Sequence, residues 1–219
     1  MRPHTIPLLV TPVMLIWSQL ALASGLRFAI DPGQDLEALA RAGRVAVSVD
    51  RQGGVYTLDA SAVLPVDLPD LLRASVDYDR YARMGIPYLR ECHVVAAAPD
   101  RSLLYTWSAM SYFGQSSKHY LAVEIQRNLT PSGAAGIAWR LTRPQLGWPY
   151  ADASAFTRLE GSWYLERLAE RSTYVRYTLT AVLDPAIPEA LVSWVVKRQL
   201  AEGTRGLVHA LAREASVHP

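Results

Sequence analysis

The sequence predicts an α+β fold: a curved antiparallel β-sheet wrapped around a long C-terminal α-helix, with two short helices after the first strands. Three features carry that expectation. Apolar and polar residues alternate with a period of two from Leu89 to Leu183. Beyond Pro188 the apolar positions change to helical spacing, at Leu191, Val192, Val195, Val196, Leu200, Leu207, Val208 and Leu211. Before the long alternating run lies a proline-punctuated segment, Pro65 to Leu89, patterned as helix. A sheet that alternates this cleanly has one face to bury, and the terminal stripe is the element that buries it.

Each element has its own signal. "DPGQDLEALARAG" (Asp31 to Gly43) predicts a short helix closed by its last glycine. "RVAVSVD" and "GVYTLDASAVLP" alternate around Gly53-Gly54, which predicts a β-hairpin with positive φ in its turn. Pro69 falls in a first helical turn, with Asp70 near the positive end of the helix dipole. Asp77 is placed to cap a second short helix carrying Tyr78 and Tyr81, and Gly85 and Pro87 end it. Strands follow at Arg90–Ala96, Ser102–Met110, Lys118–Gln126, Ile137–Thr142, Phe156–Leu168 and Thr173–Leu183. The connection Arg143 to Ala155 holds Pro144, Gly147 and Pro149 and is expected to be a surface loop.

Taking every second residue gives the face to be covered. It holds Ile137, Trp139 and Leu141 on one strand and Leu159, Gly161, Trp163 and Leu165 on the next. The last strand adds Val175, Tyr177, Leu179, Ala181 and Leu183. Pro185 then ends the strand and Pro188 opens the helix, where a missing N–H costs nothing. A helix from Pro188 to Arg213 spans about 39 Å at about 1.5 Å per residue, enough to cross a curved sheet. Gly203 and Gly206 within it either permit close approach to a neighbour or mark a bend.

Bulk properties narrow the function. The chain has 219 residues, 50% hydrophobic and 19% charged, which suits one well-buried core. A net charge of +2 with interspersed signs offers no basic tract for a phosphate backbone, so nucleic acid is excluded as an expected partner. The single cysteine, Cys92, rules out an intramolecular disulfide and a multi-cysteine zinc site. At the amino terminus Arg2 precedes an apolar run from Ile6 to Trp17 and the triplet Ala21-Leu22-Ala23. That order predicts a secretory signal over residues 1–23, leaving residues 24–219 as one domain in the periplasm or outside the cell. An uncleaved anchor is the alternative, opposed by Pro7, Pro12 and the shortness of the run.

Catalytic patterns are sought without success. The five histidines show no metal-ligand spacing, and His119 beside Ser116 and Ser117 lacks an oxyanion-hole motif. No catalytic residue, metal ligand or cofactor is assigned, and binding is favoured over catalysis. The aromatic residues are more telling. Trp107, Trp139, Trp163 and Tyr177 fall on the phase assigned to the covered face, more bulk than a helix-on-sheet core needs. Trp and Tyr favour sites where a polar tip finds a partner, which points to an amphipathic pocket. The candidate ligand-binding residues are Tyr105, Trp107, Trp139, Leu141, Trp163, Tyr177, Leu179, Val192, Val195 and Val196. Tyr105, Tyr177 and Glu124 are candidates to orient a polar head group. Trp148 and Tyr150 are candidates for a lid or a transient membrane contact.

The segment "VLPVDLPDLLRASVDYDRYARMGIPYLREC" is similar to the entry into the helical pair of the START and polyketide-cyclase (SRPBCC, helix-grip) superfamily. "GSWYLERLAERSTYVRYTLTAVLDPAIPEALVSWVVKR" resembles its passage from last strand to final helix, carried by Thr173, Val175, Tyr177, Asp184, Pro185, Ile187 and Pro188. The turn before Thr173 departs from the pattern, with Arg171-Ser172 where glycine is common. The resemblance runs from about Gly43 to Ala215. It implies a helix-grip (START-like) fold and a cavity for one hydrophobic small molecule or lipid. A cyclase- or aromatase-like enzyme, or a partner-binding module with a closed cavity, are the alternatives.

Overall fold

Gly53 and Gly54 both have positive φ, 55° and 83°, which lets a two-residue turn follow the twist of the strands it joins. The turn connects β1 (Ala46–Gln52) to β2 (Val55–Leu64), with Gln52 opposite Val55. The computed structural model describes residues 45–112, 115–129, 134–142, 156–183 and 195–217, with 38, 185 and 192. The predicted helix Asp31–Gly43 (Ala38 aside), the signal, the loop with Trp148 and Tyr150, Pro188 and Trp194 lie outside the described residues. The described residues fall within one compact unit, Asp35–Pro219.

Six further strands build the sheet: β3 (Leu89–Ala97), β4 (Arg101–Tyr112), β5 (Gln115–Leu129), β6 (Ala134–Thr142), β7 (Phe156–Ala169) and β8 (Ser172–Leu183). All eight strands form one sheet in the order β1-β2-β8-β7-β6-β5-β4-β3. Every neighbouring pair is antiparallel, and β8 returns to pair with β2, setting Tyr177 opposite Ala60. Register shifts in β3 and at both ends of β7 mark bulges, which add the bend and twist a curved sheet needs. The phases expected for β6, β7 and β8 hold. Ile137, Leu159, Trp163, Leu165, Val175, Tyr177, Leu179, Ala181 and Leu183 are buried, while Ala138, Arg140 and Arg158 are exposed.

The segment before β3 folds as expected, with two local corrections. Helix α1 (Leu68–Val76) carries Pro69 and Asp70 in its first turn and buries Leu68, Leu71 and Ala74. Asp67 stands at its N-cap, but its carboxylate instead accepts the backbone N–H of Arg171 at 2.9 Å. The second helix, Tyr78–Arg83, is a 3-10 helix, and Asp77 does not cap it with its side chain. The Asp77 carboxylate pairs with Arg80 at 3.3 Å, so the charge of the next turn competes for the capping oxygen. Gly85, with φ 72°, ends the segment.

The C-terminal helix is not one continuous α-helix. Val195–Glu202 is π-helical, and α2 begins at Gly203 and runs to Val217. The change falls at a residue with weak helix preference, where widening the turn is least opposed. Val208, Ala210, Leu211 and Ala215 of α2 are buried in the same core as Leu71 and Ala74 of α1. Arg80 pairs with Glu214 at 2.5 Å, and Arg213 donates to the Met84 carbonyl at 3.2 Å. Gly206 is required by close approach: a Cβ there would lie 2.3 Å from Pro87 Cγ. No helix among the described residues is long and apolar enough to cross a membrane.

Candidate functional site

Between the inner face of the sheet and the C-terminal helix lies an open-mouthed cavity of about 270 Å³. Alternation in the last strands supplies Ile137, Trp139, Leu159, Trp163, Tyr177 and Leu179 to its wall. Strands β4 and β5 add Leu104, Thr106, Ser108, Val123 and Ile125, and β3 adds Leu89 and Cys92. The helical pair contributes Ser75, Tyr78 and Tyr81, and the loop after it Ile86, Pro87 and Tyr88. Leu200, Gly203, Thr204 and Leu207 close the roof. Among the described residues no acidic or basic side chain lines this wall.

An aromatic wall occupies one side. The Trp163 and Tyr177 rings lie 4.4 Å apart at 42°, and Trp139 stacks on Tyr177 at 6.3 Å and 16°. Gly161 makes the arrangement possible. A Cβ there would lie 2.7 Å from Trp139 Cζ2 and 2.4 Å from the Thr178 carbonyl oxygen, so the bare backbone lets the indole lie across β7.

The polar side-chain groups of the wall are hydroxyls, the two indole N–H groups and one thiol. Tyr81 donates to the Ser75 carbonyl at 2.6 Å, and the Ser75 hydroxyl donates to the Leu71 carbonyl at 2.7 Å. The buried Tyr78 hydroxyl has no hydrogen-bond partner among the described residues. Burial pushes its pKa up to about 12, with the Arg127 charge opposing part of the rise. Burial also raises Tyr177 strongly, and it pushes the Cys92 thiol up to about 12 with help from Asp79. Both phenols and the thiol are therefore neutral at physiological pH. No group of three potential metal ligands occurs among the described residues.

Trp139, Trp163, Tyr177 and Leu179 of the sequence-derived set all reach the wall. Leu141, Val192 and Val196 are half-buried and pack against the surrounding core rather than the cavity, and the Val195 side chain lies outside the described residues. Tyr105 and Trp107 require a correction. In β4 the cavity phase is Leu104, Thr106 and Ser108, because Leu104 stands opposite the inward Val123 of β5. Tyr105 and Trp107 therefore face the other side of the sheet. Glu124 is likewise outward, where it accepts from Arg140 Nε at 2.9 Å. The sequence reading missed Tyr78, Tyr81 and Thr204. Tyr78 and Tyr81 are three apart, the spacing that eclipses side chains on a 3-10 helix, and this was the available signal.

No family model matches the sequence, and no curated protein does either. Solved structures do match. The STAR-related lipid transfer protein from Xanthomonas axonopodis is 18% identical with a TM-score of 0.64, covering 78% of this chain and 93% of that one. Human StAR-related lipid transfer protein 5 is 10% identical with a TM-score of 0.61, covering 92% and 96%. The Zhui aromatase/cyclase from a Streptomyces species is 14% identical with a TM-score of 0.53, covering 74% and 94%. This chain has the helix-grip fold that these lipid transfer and aromatase/cyclase structures share.

Proposed function

We propose that the chain binds one hydrophobic molecule, a lipid, sterol, hopanoid or quinone-like compound, and carries it shielded from water. The observation that carries this reading is the cavity itself. It lies between sheet and helix, is lined mainly by apolar and aromatic side chains, and is close in size to drug-scale ligand pockets of about 300–1,000 Å³. Binding is driven by apolar burial, at about 25 cal/mol per Å² removed from water. The names of several structural neighbours, lipid transfer proteins, support the same reading. Trp139, Trp163, Tyr177 and Leu179 form the contact surface, with Val192, Val195 and Val196 on the helix that covers it. Residues 1–23 serve as a secretory signal in this proposal, and residues 24–219 work as one domain in the periplasm or outside the cell. The loop with Trp148 and Tyr150 makes the transient membrane contact that loading requires.

The test is transfer of dehydroergosterol between phosphatidylcholine donor and acceptor vesicles. The protein is expected to accelerate transfer, and Trp139→Ala to slow it severalfold. A rate equal to that of vesicles alone contradicts the proposal. An aromatase or cyclase is the second reading, favoured by the Streptomyces neighbour. It predicts that a bound polyketide-like compound changes mass during incubation, whereas a carrier returns its cargo unchanged. N-terminal sequencing of the protein from fractionated cells tests the signal, with Ser24 expected as the first residue.

A further inference from the structure

Shielding a purely apolar molecule does not explain why the Tyr78 phenol stands buried and unsatisfied among the described residues of the cavity wall, with the Tyr177 phenol on the same wall. Tyr78 is 4% exposed, and among the described residues its hydroxyl has no partner. Tyr177 is also 4% exposed, and among the described residues it makes ring contacts to Trp139 and Trp163 but no hydrogen bond. Buried hydroxyls in folded proteins are nearly always paired, because an orphan loses its bonds to water and gains none. Tyr81 shows the contrast. Its ring meets Tyr78 at 5.3 Å, and its own hydroxyl is satisfied by the Ser75 carbonyl. Tyr78, Tyr177 and Cys92 all act on Tyr81 electrostatically, so the three phenols and the thiol gather in one neighbourhood of the cavity.

We infer that the Tyr78 and Tyr177 hydroxyls hold an uncharged oxygen function, a hydroxyl or a carbonyl, at the buried end of a compact ring-bearing ligand. The inference rests on the carrier reading and narrows its cargo. The cargo's buried end is uncharged because no acidic or basic side chain among the described residues lines the wall to neutralise a charge. Its body is a flat ring system because Trp139, Trp163 and Tyr177 present ring faces and edges on one side. It is compact because the cavity holds about 270 Å³. Raised by burial, both phenols keep their protons and remain donors, and each oxygen also accepts. A hydroxyl or a carbonyl therefore meets the same pair.

The experiment uses Nile red bound to the full chain and three competitors of one shape: naphthalene, 2-naphthol and 2-naphthoate. On the wild-type protein 2-naphthol is expected to displace the dye at a roughly tenfold lower concentration than naphthalene, with 2-naphthoate weakest. In the double variant Tyr78→Phe with Tyr177→Phe, the 2-naphthol advantage is expected to fall below about threefold. A thermal melt of the double variant that matches wild type shows that it is folded, and the 2-naphthol advantage is read as a ratio to naphthalene on the same variant. An advantage that survives in the double variant overturns the inference, as does 2-naphthoate binding best. If naphthalene and 2-naphthol bind equally to the wild type, this inference alone fails. If neither Nile red nor naphthalene binds at all, the carrier reading fails and takes the inference with it.

Discussion

Gly161 sits where any side chain would collide with the Trp139 indole and the backbone of β8. Gly161→Ala is therefore expected to cost about 1–3 kcal/mol in chemical denaturation and to perturb Trp fluorescence, as overpacking does. An unchanged midpoint would mean that the indole moves aside freely. Trp163 is 5% exposed and Trp139 only half-buried. Trp163→Ala should then cost about 3–5 kcal/mol and Trp139→Ala less, making Trp139 the better probe of binding. Arg171 answers the departure noted in the sequence. It holds φ at 50°, and its N–H reaches Asp67, a contact that glycine keeps. Relief of the left-handed strain, less glycine's added chain entropy, predicts that Arg171→Gly stabilises by about 0.5–1 kcal/mol. A fall in Tm contradicts that. Cys92, Tyr78 and Tyr177 all have pKa values raised by burial, so the fold favours their protonated forms. Their contribution is complete at neutral pH and is lost as pH rises, from near 9.0 for Cys92 and near 10.0 for the tyrosines. The loss is at most about 1.4 kcal/mol per pH unit per group. Equilibrium unfolding against pH checks this, with Cys92→Ala expected to remove the earliest decline.

At the scale of elements, strands β6 to β8 were legible and β4 was not, for a physical reason. In β7, Leu159, Gly161, Trp163 and Leu165 alternate with Arg158, Glu160, Ser162, Tyr164 and Glu166, and the charges mark the solvent face. In "SLLYTWSAM" both phases carry apolar residues, so only the pairing with β5 decides which one faces inward. The aromatic phase of Tyr105 and Trp107 was the attractive choice and the wrong one. The π-helical turn of Val195–Glu202 was also invisible, because apolar spacing does not distinguish π from α geometry over so short a run. The two halves of the terminal helix are also anchored differently. Arg80–Glu214 and Arg213–Met84 tie α2 to the helical pair. Hydrogen exchange is accordingly expected to be faster across Val195–Glu202 than across Gly203–Val217. Equal protection would mean that the helix moves as one body. Gly206→Val pushes against Pro87 at the roof and should speed ligand release.

Over the whole molecule, the order of elements was the strongest sequence signal: hairpin, helical pair, antiparallel strands and terminal helix all appear where expected. Order survives because each element depends on a local period or a turn, whereas the cavity depends on which phases meet across the sheet. Among the described residues, four of the candidate set reach the wall, Trp139, Trp163, Tyr177 and Leu179, and all come from the strands with strict alternation. The tyrosines of the 3-10 helix join them only through tertiary packing, which no single period encodes. The central claim is that this cavity is occupied by one hydrophobic molecule. Mass spectrometry of an organic extract from the natively purified protein tests it most directly. The expected result is a single neutral, ring-bearing compound near one per chain, much reduced in Trp139→Ala. A protein that carries nothing, together with a Trp139→Ala variant indistinguishable from wild type, would contradict it.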